Sequence, residues 1–531
     1  MSPRDASDAP RPGDTRGVAQ RLAPLTGARL ALVTVLTAMA AIVYELLIGT
    51  LSTYLHGDSA LQFSLTIGTF LAAMGLGAFL ARDAGEGTHG AGLLQRLVWI
   101  EIAVATLGGL SALLLYSAYQ VMPGAYLACM VSLVAAIGVL VGMELPILAA
   151  LLREVGGVRG AFASALSLDY VGSLLGSLAF PFLLLPTVGT VKTALLLGGL
   201  NLAAVVLLLH GQPQARHRRQ WFALAGAALV LIAGLLLSAR LVAWFEHRLY
   251  RDEVVWAETT RFQRIVVTRY RDDLRLYSDK ELQFSSRDEY RYHESLIHPL
   301  LAAVAAPRRV LVIGGGDGLG VRELRKDPRV ERIVLVDIDP AMTRLARSLP
   351  PLVALNGDAL ADPRVVTVHT DGYRYLIDTR ERFDAVVLDL PDPRTEAIAR
   401  LYSREFYARL LQRLAPGGAL VTQAGSPYYT RESYWCVVAT LRAAGLQPVP
   451  YRVNVPAFGE WGFVLAARTP TGWDALRLDL PRRWLRQDTL RTATRFDADT
   501  AEPPGLPVST FESPAVWRLY RQRVRYWRGG G

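Results

Sequence analysis

VLVIGGGDGLG, residues 310–320, is the stretch that decides the fold of the C-terminal half of this chain. A short β-branched apolar run that ends in three glycines and an aspartate predicts a buried parallel strand turning sharply into a helix, with glycines that let a ligand approach the backbone. A second such strand, IVLVDID at residues 333–339, ends in carboxylates, where nucleotide-binding α/β folds meet a ribose. Together the two strands predict a nucleoside site at the carboxyl edge of a sheet.

The residues around this stretch predict an α/β domain. From 310 to about 467, apolar strands alternate with helical stretches, which is the pattern of a doubly wound, largely parallel, Rossmann-like sheet. Before it, residues 256–286 alternate apolar and polar side chains, which predicts a small antiparallel β-sheet, and residues 288–301 have helical spacing. We therefore predict a small β-sheet and helix at 246–300 and a nucleoside-binding catalytic domain at 301–467.

The N-terminal half is far more apolar. With 531 residues, 51% of them hydrophobic, the chain is too long for one ordinary domain and too apolar for a wholly soluble protein. After a polar, disordered arm at 1–29 come apolar runs long enough to cross a bilayer, which takes about 20 residues. We predict a multi-span transmembrane α-helical region at 30–240 with about seven spans, at 30–51, 61–81, 94–116, 124–152, 161–185, 188–209 and 220–238.

The distribution of arginines along the chain indicates its binding partners and its orientation in the membrane. The net charge of +10 lies mostly on arginines that flank the apolar runs and in the tail at 468–531, which is typical of membrane flanks, so we expect a lipid bilayer and no nucleic acid as partner. The arginine bias of the loops puts the N-terminus in the cytoplasm, and seven spans would then leave the C-terminal domain outside. We favour a cell-membrane protein with a cytoplasmic catalytic domain, which requires that 220–238 does not cross. The arginine-rich tail is either a lid or a surface wrap.

Four carboxylates fall inside the predicted spans. Glu45, Glu101, Glu144 and Asp169 are costly at membrane depth unless they are paired or face a cavity. One interpretation is a path or site for a cation. The other places some at the interface and lets the rest hydrogen-bond between helices, and we favour it because no transport motif accompanies them.

Three aspartates limit the classes of ligand that the α/β domain could bind. Asp317, in the glycine turn, would repel a dinucleotide pyrophosphate and an amino-acid carboxylate but would attract an ammonium group. Asp389 and Asp392 follow another buried strand in DAVVLDLPDP, where two carboxylates could hold a cation and remove a proton from it. His293 and His298 invite a zinc interpretation, but their spacing differs from the metalloprotease motif, so we predict no metal.

Several motifs together resemble the polyamine aminopropyltransferases, the spermidine synthase family. They are LQFSSRDEYRYHESLIHP, VLVIGGGDG, VLVDID, TDGY at 370–373, DLPDP followed by LYSREFY at 401–407, and AFGEWGF at 457–463. The resemblance covers roughly residues 250 to 467, and with its apolar N-terminal region the whole chain is similar to the membrane-anchored, multi-span members. It implies a sheet of the class I methyltransferase type.

The resemblance also implies roles for individual residues. The co-substrate would be decarboxylated S-adenosylmethionine, with no tightly bound cofactor, and Asp389 would be the catalytic base that deprotonates the attacking amine. The co-substrate positions are Gln263, Gly314, Gly316, Asp317, Asp337, Asp371 and Gly372. The positions that line the amine pocket are Tyr292, His293, Asp392, Gln423 and Phe458.

The implied reaction is transfer of an aminopropyl group to putrescine, which gives spermidine and methylthioadenosine. The sequence departs from the soluble members at Leu319 after the glycine turn, in RTEAIAR after DLPDP, and at Phe458, where a tyrosine is common. These departures concern the acceptor amine more than the reaction type. A methyltransferase using S-adenosylmethionine and a polyamine transporter or sensor remain alternatives. The partner would be a small polyamine, and whether the chain forms a homo-oligomer stays open.

Overall fold

The computed structural model describes residues 27–56, 59–83, 90–156, 161–210, 212, 217–250 and 252–527. The chain divides into two compact units, Met1–Leu249 and Tyr250–Gly531. Most of the predicted arm at 1–29 lies outside the described residues, and its last three residues begin the first helix.

Long apolar helices form the first unit. They are α1 Gly27–His56, α2 Ser59–Leu80, α3 Ala91–Val121, α4 Tyr126–Gly156, α5 Ala161–Ala179, α6 Leu185–Leu209 and α7 Arg218–Tyr250. The described residues contain six helical stretches long and apolar enough to cross a membrane. One of them, Phe162–Leu209, has 48 residues, or about 72 Å at 1.5 Å per residue, more than twice the hydrocarbon thickness of about 30 Å.

That long stretch is interrupted at Gly189. Its φ of 75° and ψ of 176° are not helical, and they separate two segments that correspond to the predicted spans at 161–185 and 188–209. The seven-span topology stays a prediction. The last helix differs from its predicted bounds: α7 continues past 238 to Tyr250, because Leu241 and Phe245 keep an apolar face at helical spacing.

Small residues allow the helices of this unit to pack closely. A Cβ atom on Gly77 of α2 would lie 2.0 Å from the Val139 carbonyl oxygen of α4, and one on Gly142 would lie 2.1 Å from the Met74 carbonyl oxygen. Helix pairs that approach through small residues are typical of membrane proteins, where packing replaces the hydrophobic effect as the driving force.

The second unit begins with the predicted antiparallel sheet. Its strands, in spatial order, are β1 Glu253–Thr259, β2 Arg264–Tyr270, β3 Asp273–Ser278 and β4 Glu281–Ser285. The predicted helix follows as α8, Glu289–Ala303.

A seven-stranded sheet with the order β10-β11-β9-β8-β5-β6-β7 confirms the predicted α/β fold class. The strands are β5 Arg309–Gly314, β6 Arg332–Asp337, β7 Val365–His369, β8 Phe383–Asp389, β9 Leu414–Gly425, β10 Gln447–Val455 and β11 Gly459–Ala467. Strands β5 to β9 pair in parallel, and β10 and β11 add an antiparallel edge. Strand β5 lies between β6 and β8, so the order reverses there, and ligands of such sheets bind at the carboxyl ends of these strands.

Helices cover the sheet, and the tail is part of the same core. The helices after α8 are α9 Leu319–Leu324, α10 Pro340–Ser348, α11 Pro350–Asn356, α12 Gly372–Asp378, α13 Glu396–Ala399, α14 Arg404–Arg413, α15 Arg431–Ala443, α16 Gln487–Thr492 and α17 Ala515–Trp527. Tail residues Trp473, Leu490 and Val516 are buried in the domain. Glu294 of α8 fixes the tail, because its carboxylate accepts hydrogen bonds from the backbone N–H groups of residues 483–485. The tail therefore wraps the domain.

Candidate active site

The glycine turn brings the ends of β5 and β8 together. Gly314 and Gly315 have φ angles of 80° and 65°, which glycine adopts without strain. A Cβ atom on Gly314 would lie 2.0 Å from the Asp389 carbonyl oxygen, and one on Gly315 would lie 2.9 Å from Asp389 Oδ2. The turn thus leaves room beside the carboxylate of Asp389.

Asp317 is partly buried at the entry to α9. Its Oδ1 accepts a hydrogen bond from the Leu319 N–H at 2.9 Å. Burial raises the pKa of Asp317 to about 6; the positive charge of His293 opposes this shift, and the negative charge of Asp389 adds to it. Leu319, the departure from the usual glycine, packs its side chain into the domain core.

His293 supplies positive charge near Asp317. Its Nδ1 lies 2.9 Å from Glu289 Oε2, and Glu289 also forms an ion pair with Arg322 at 2.8 Å. Although burial lowers it, the hydrogen bond and charge of Glu289 raise the pKa of His293 to about 8. His298 pairs with another carboxylate, Glu323, at 2.9 Å. In the part of the chain that the structure describes, no three His, Cys, Asp or Glu side chains are placed to share a metal ion.

Asp337 ends β6 beside the glycine turn. Its Oδ1 accepts from the Asp339 N–H at 2.8 Å and its Oδ2 from the Gly316 N–H at 3.1 Å. Burial raises the pKa of Asp337 to about 6. A Cβ atom on Gly316 would lie 2.4 Å from Asp337 Oδ2, so a side chain there would displace the carboxylate.

Gln263 connects the small sheet to this edge. Its Nε2 donates to Asp339 Oδ2 at 3.0 Å, and its Oε1 accepts from the Ser278 hydroxyl at 2.5 Å. The Thr260 hydroxyl donates to the same Asp339 oxygen at 2.8 Å. Asp339 and Thr260 were not predicted as site residues, although Asp339 lies in the acidic end of IVLVDID.

Asp371 and Gly372 follow β7 at the same sheet edge. Asp371 caps α12, accepting from the Arg374 N–H at 2.9 Å. Gly372 is buried, and a Cβ atom there would lie 2.5 Å from Ile313 Cγ2 of β5. The glycine therefore allows α12 to start close to the strand that carries the glycine turn.

Asp389 lies at the end of β8 and accepts a hydrogen bond from the Tyr292 hydroxyl at 2.7 Å. Burial and the charge of Asp389 raise the pKa of Tyr292, so this hydroxyl stays protonated as the donor. Tyr292 bonds to Asp389 Oδ1, and the other carboxylate oxygen, Oδ2, faces Gly315. The Phe458 ring, in the turn between β10 and β11, lies 6.3 Å from the Tyr292 ring and forms an apolar wall beside it.

Asp392 receives its hydrogen bond from the tail. The Tyr520 hydroxyl of α17 donates to Asp392 Oδ2 at 2.9 Å. Among the described residues, Asp392 Oδ1 is buried without a hydrogen-bond partner. Burial raises the pKa of Asp392 to about 6, and the Tyr520 hydrogen bond lowers it. Tyr520 is a residue of the site that the sequence interpretation missed.

Gln423 holds the loop that carries these aspartates. Its Nε2 donates to the Leu390 carbonyl at 2.6 Å and to the Tyr402 hydroxyl at 2.5 Å, and its Oε1 accepts from the Gly425 N–H at 2.9 Å. The Tyr402 hydroxyl in turn donates to the Pro391 carbonyl at 3.0 Å. Gln423, predicted to line the amine pocket, therefore uses its amide to position the DLPDP loop.

The arrangement as a whole is acidic. Four carboxylates, those of Asp317, Asp337, Asp389 and Asp392, lie at the adjacent ends of β5, β6 and β8. The raised pKa values of Asp317, Asp337 and Asp392 show that burial is not fully compensated by positive charge. Such a site favours a ligand that brings positive charge.

The chain matches a family model described as the spermine/spermidine synthase domain over residues 289–472. Its curated relatives extend beyond that domain. They include polyamine aminopropyltransferase 1 of Ralstonia nicotianae, 42% identical over 94% of both chains, and polyamine aminopropyltransferase of Oceanobacillus iheyensis, 38% identical over 91% of this chain and 94% of the other. Polyamine aminopropyltransferase 1 of Streptomyces coelicolor is 40% identical over 93% and 96% of the two chains.

Solved structures are similar to part of the chain. Spermidine synthase in complex with the transition-state analogue AdoDATO has a TM-score of 0.43 and 21% identity, covering 46% of this chain and 85% of that one. Spermidine synthase from Thermotoga maritima has a TM-score of 0.41, also at 21% identity, over 46% and 84%. On the identity and coverage of the curated relatives, this chain belongs to the polyamine aminopropyltransferase family and is an enzyme of that type.

Proposed function

We propose that the C-terminal unit transfers the aminopropyl group of decarboxylated S-adenosylmethionine to putrescine, giving spermidine and methylthioadenosine. The observation that carries this proposal is the placement of Asp317 in the glycine turn and of Asp389 and Asp392 at the end of the neighbouring strand. Both substrates are cations, and the site has carboxylates for each. The family uses decarboxylated S-adenosylmethionine as a co-substrate and holds no tightly bound cofactor.

The β5 and β6 side would bind the co-substrate. Asp317 would receive its propylammonium group, and the carboxyl group of ordinary S-adenosylmethionine would be repelled there. Asp337 would accept hydrogen bonds from the ribose hydroxyls, with Gly316 providing the necessary space. Gln263 would support this side through Asp339. Asp371 and Gly372 lie at the end of β7, where we place the adenine.

The β8 side would bind the acceptor amine. Asp392 Oδ1, buried and without a partner among the described residues, is suited to accept from an ammonium group. Asp389 Oδ2 would accept the proton of the attacking nitrogen, while Tyr292 holds Oδ1 in place. Tyr292 and Phe458 would enclose the carbon chain, and His293 would lie behind Tyr292, 5.0 Å between ring centres.

The sulfonium of the co-substrate is already a good leaving group, so the main chemical task of the site is to supply a base for the attacking amine. An alkylamine with a pKa of about 10 is protonated at neutral pH and cannot attack, so a carboxylate must take its proton. The free nitrogen then forms a bond to the carbon of the aminopropyl chain that is attached to the sulfonium sulfur. The carbon–sulfur bond breaks, and its electron pair neutralises the sulfonium to leave methylthioadenosine. The site's other contribution is to position the two reactants.

We also propose that the N-terminal unit is embedded in the cell membrane and that the catalytic unit is cytoplasmic. The six helical stretches of sufficient length and hydropathy support the first part. The arginine bias of the loops places the N-terminus in the cytoplasm, and the second part requires in addition that 220–238 does not cross the membrane. Fusing alkaline phosphatase to the C-terminus tests the orientation. This reporter is active only outside the cytoplasm, so an active fusion would contradict the proposed orientation. A homo-oligomer is compatible with this arrangement.

The acceptor is tested by competition. Putrescine, cadaverine and spermidine are offered together to the purified full-length chain with decarboxylated S-adenosylmethionine, and products are separated by mass spectrometry. We expect spermidine from putrescine to be the main product. A main product from cadaverine or from spermidine would assign another acceptor while leaving the reaction type intact.

A further inference from the structure

The helical unit contains a second group of buried acidic residues. Glu101 of α3 is 0% exposed and Glu144 of α4 is 5% exposed. Both carboxylate oxygens of Glu101 and Oε1 of Glu144 have no hydrogen-bond partner among the described residues. The Tyr44 hydroxyl of α1 is likewise fully buried and without such a partner. Four unsatisfied polar atoms therefore lie inside an apolar helix bundle.

These side chains lie close together. Glu144 interacts electrostatically with both Glu101 and Asp169 of α5, and Tyr44 interacts with both glutamates. The Tyr44 ring reaches them by packing on α3 at Gly108, where a Cβ atom would lie 2.5 Å from the ring. Four helices thus direct one polar side chain each toward a common region, which we call the bundle cluster: Tyr44, Glu101, Glu144 and Asp169.

The three carboxylates also lie at similar depth. The Gly90 N–H, just before α3, donates to both carboxylate oxygens of Glu154 near the end of α4, so these two helix ends are adjacent. The start of α5 follows α4 after four residues. Measured from these ends, Glu101, Glu144 and Asp169 lie about 12 to 18 Å along their helices at 1.5 Å per residue. For helices that cross a bilayer, this depth is close to the middle of the hydrocarbon layer.

Hydrogen bonding between helices does not account for Glu101, since neither of its oxygens has a partner in the described residues. An ionised carboxylate buried without a partner costs several kcal/mol. No Lys, Arg or His of the described chain forms an ion pair with Glu101 or Glu144. Because these carboxylates are not placed to share one metal ion, the chemistry that fits them is a flexible ammonium cation with donors at several positions.

We propose that the bundle cluster is a second amine-binding site, which takes an alkyl di- or triammonium ion within the helical unit. Each carboxylate would accept from a different ammonium or secondary ammonium group, and the Tyr44 hydroxyl would complete the coordination. The choice of a polyamine as ligand rests on the proposed function of the catalytic unit. The chain would then hold its amine at two places, one for chemistry and one in the bundle.

Equilibrium binding of radiolabelled spermidine to the full-length chain in lipid nanodiscs tests this site. The double variant Glu101→Gln/Glu144→Gln is expected to bind one spermidine fewer per chain than the wild type. Its aminopropyl-transfer kcat should stay within about twofold, since neither residue belongs to the catalytic unit. Glu45→Gln is the matched control, because Glu45 is buried on α1 beside Tyr44 and is not part of the bundle cluster. Equal stoichiometry in the wild type and the double variant, or the same loss in Glu45→Gln, would overturn the proposal.

A second measurement uses the wild-type protein and does not depend on a variant that folds. Dicyclohexylcarbodiimide labels carboxyl groups in apolar surroundings, and mass spectrometry locates the label. Spermidine is expected to slow labelling of Glu101 and Glu144 at least severalfold and to leave Glu45 unchanged; equal rates with and without spermidine would contradict the site. Transfer activity is measured in parallel. If aminopropyl transfer is normal and spermidine does not slow the labelling, only the bundle site is rejected. If spermidine slows the labelling but no aminopropyl transfer occurs, only the proposed reaction is rejected.

Discussion

The two units of this protein treat buried acid groups differently. In the catalytic unit each site carboxylate has a fixed donor: the Leu319 N–H for Asp317, Tyr292 for Asp389 and Tyr520 for Asp392. In the helical unit Glu101 is more deeply buried and has no donor among the described residues. The carboxylates of the catalytic site are thus held by donors of the protein, whereas Glu101 is not.

The difference follows from the backbone. A parallel sheet ends in loops whose N–H groups are free to point at a carboxylate, as the Gly316 and Asp339 N–H groups do at Asp337. Within a long helix every N–H is already bonded to a carbonyl four residues earlier, so an acid in mid-helix finds only side-chain donors. Burial raises the pKa of Asp317, Asp337 and Asp392 to about 6, and hydrogen bonds from backbone N–H groups and from Tyr520 oppose this shift, so the values stay below neutral pH.

Replacing the assigned base should have the largest effect. Asp389→Asn keeps the shape and the hydrogen bond from Tyr292 but cannot take a proton, so kcat is expected to fall by about 10²- to 10⁴-fold. The rate of methylthioadenosine release measures this, with co-substrate binding followed by calorimetry. Asp384→Asn, on the same strand at its far end, is the matched control and should change kcat less than twofold. An Asp389→Asn variant with normal kcat would remove Asp389 from the role of base.

Replacing Asp317 should have the second-largest effect, because it should weaken binding of the co-substrate. Asp317→Asn loses a charged partner for the propylammonium group, and hydrogen bonds to charged groups contribute about 1.5 to 3 kcal/mol, so KM for the co-substrate is expected to rise about 10- to 100-fold. Discrimination against ordinary S-adenosylmethionine should weaken, as judged by competition. The exposed Asp358→Asn variant, in a left-handed conformation that Asn tolerates, is the control. Unchanged KM and discrimination would place the aminopropyl group elsewhere.

Asp392 provides a test of stability. Its folded pKa of about 6 is above the ordinary value of 3.8, so the group favours the folded state at pH 4 and this contribution is lost as pH rises through 6. The loss is at most about 3 kcal/mol. Asp392→Asn should therefore lose less thermal stability than the wild type between pH 4 and pH 8, measured as Tm without substrates. The exposed Asp378→Asn variant should behave like the wild type, and an identical Tm profile for Asp392→Asn would contradict the shift.

Replacing Tyr520 should have the smallest effect on the rate, but it should also shift the pH profile. Tyr520→Phe removes one hydrogen bond to Asp392, worth about 1 kcal/mol, so kcat/KM for the amine is expected to fall roughly fivefold. The hydrogen bond lowers the pKa of Asp392, so any limb of the pH profile that this group controls should move to higher pH. Tyr270→Phe, on an exposed part of β2, is the control. A rate loss without a shift in the pH profile would mean that Tyr520 only supports packing.

The sequence could predict the parts of the site that local patterns carry. The glycine turn, the acidic ends of β6 and β8 and the helix with Tyr292 and His293 each lie in a short stretch whose strand–turn–helix pattern is visible without a structure. The small sheet was also predicted from alternation alone. These features depend on local geometry, which is why their positions agree with the structure.

The contacts that the sequence did not predict join distant segments. Tyr520 is 128 residues from Asp392, in a tail whose arginines and prolines hid an amphipathic helix. Tyr402, 21 residues from Gln423, gave no signal beyond its place in LYSREFY. In the helical unit, four acids were recognised, but only packing brings Glu101 and Glu144 near Tyr44 and Asp169 near Glu144. Such pairings are set by tertiary structure, and a single sequence carries no pattern for them.

The most direct test of aminopropyl transfer offers the purified full-length chain putrescine with equal amounts of S-adenosylmethionine and its decarboxylated form, each with a different isotopic label. We predict that spermidine and methylthioadenosine form from the decarboxylated compound alone, because Asp317 in its proposed role would repel the carboxylate of S-adenosylmethionine. Methylated putrescine and S-adenosylhomocysteine formed from S-adenosylmethionine would contradict the assignment and make the chain a methyltransferase.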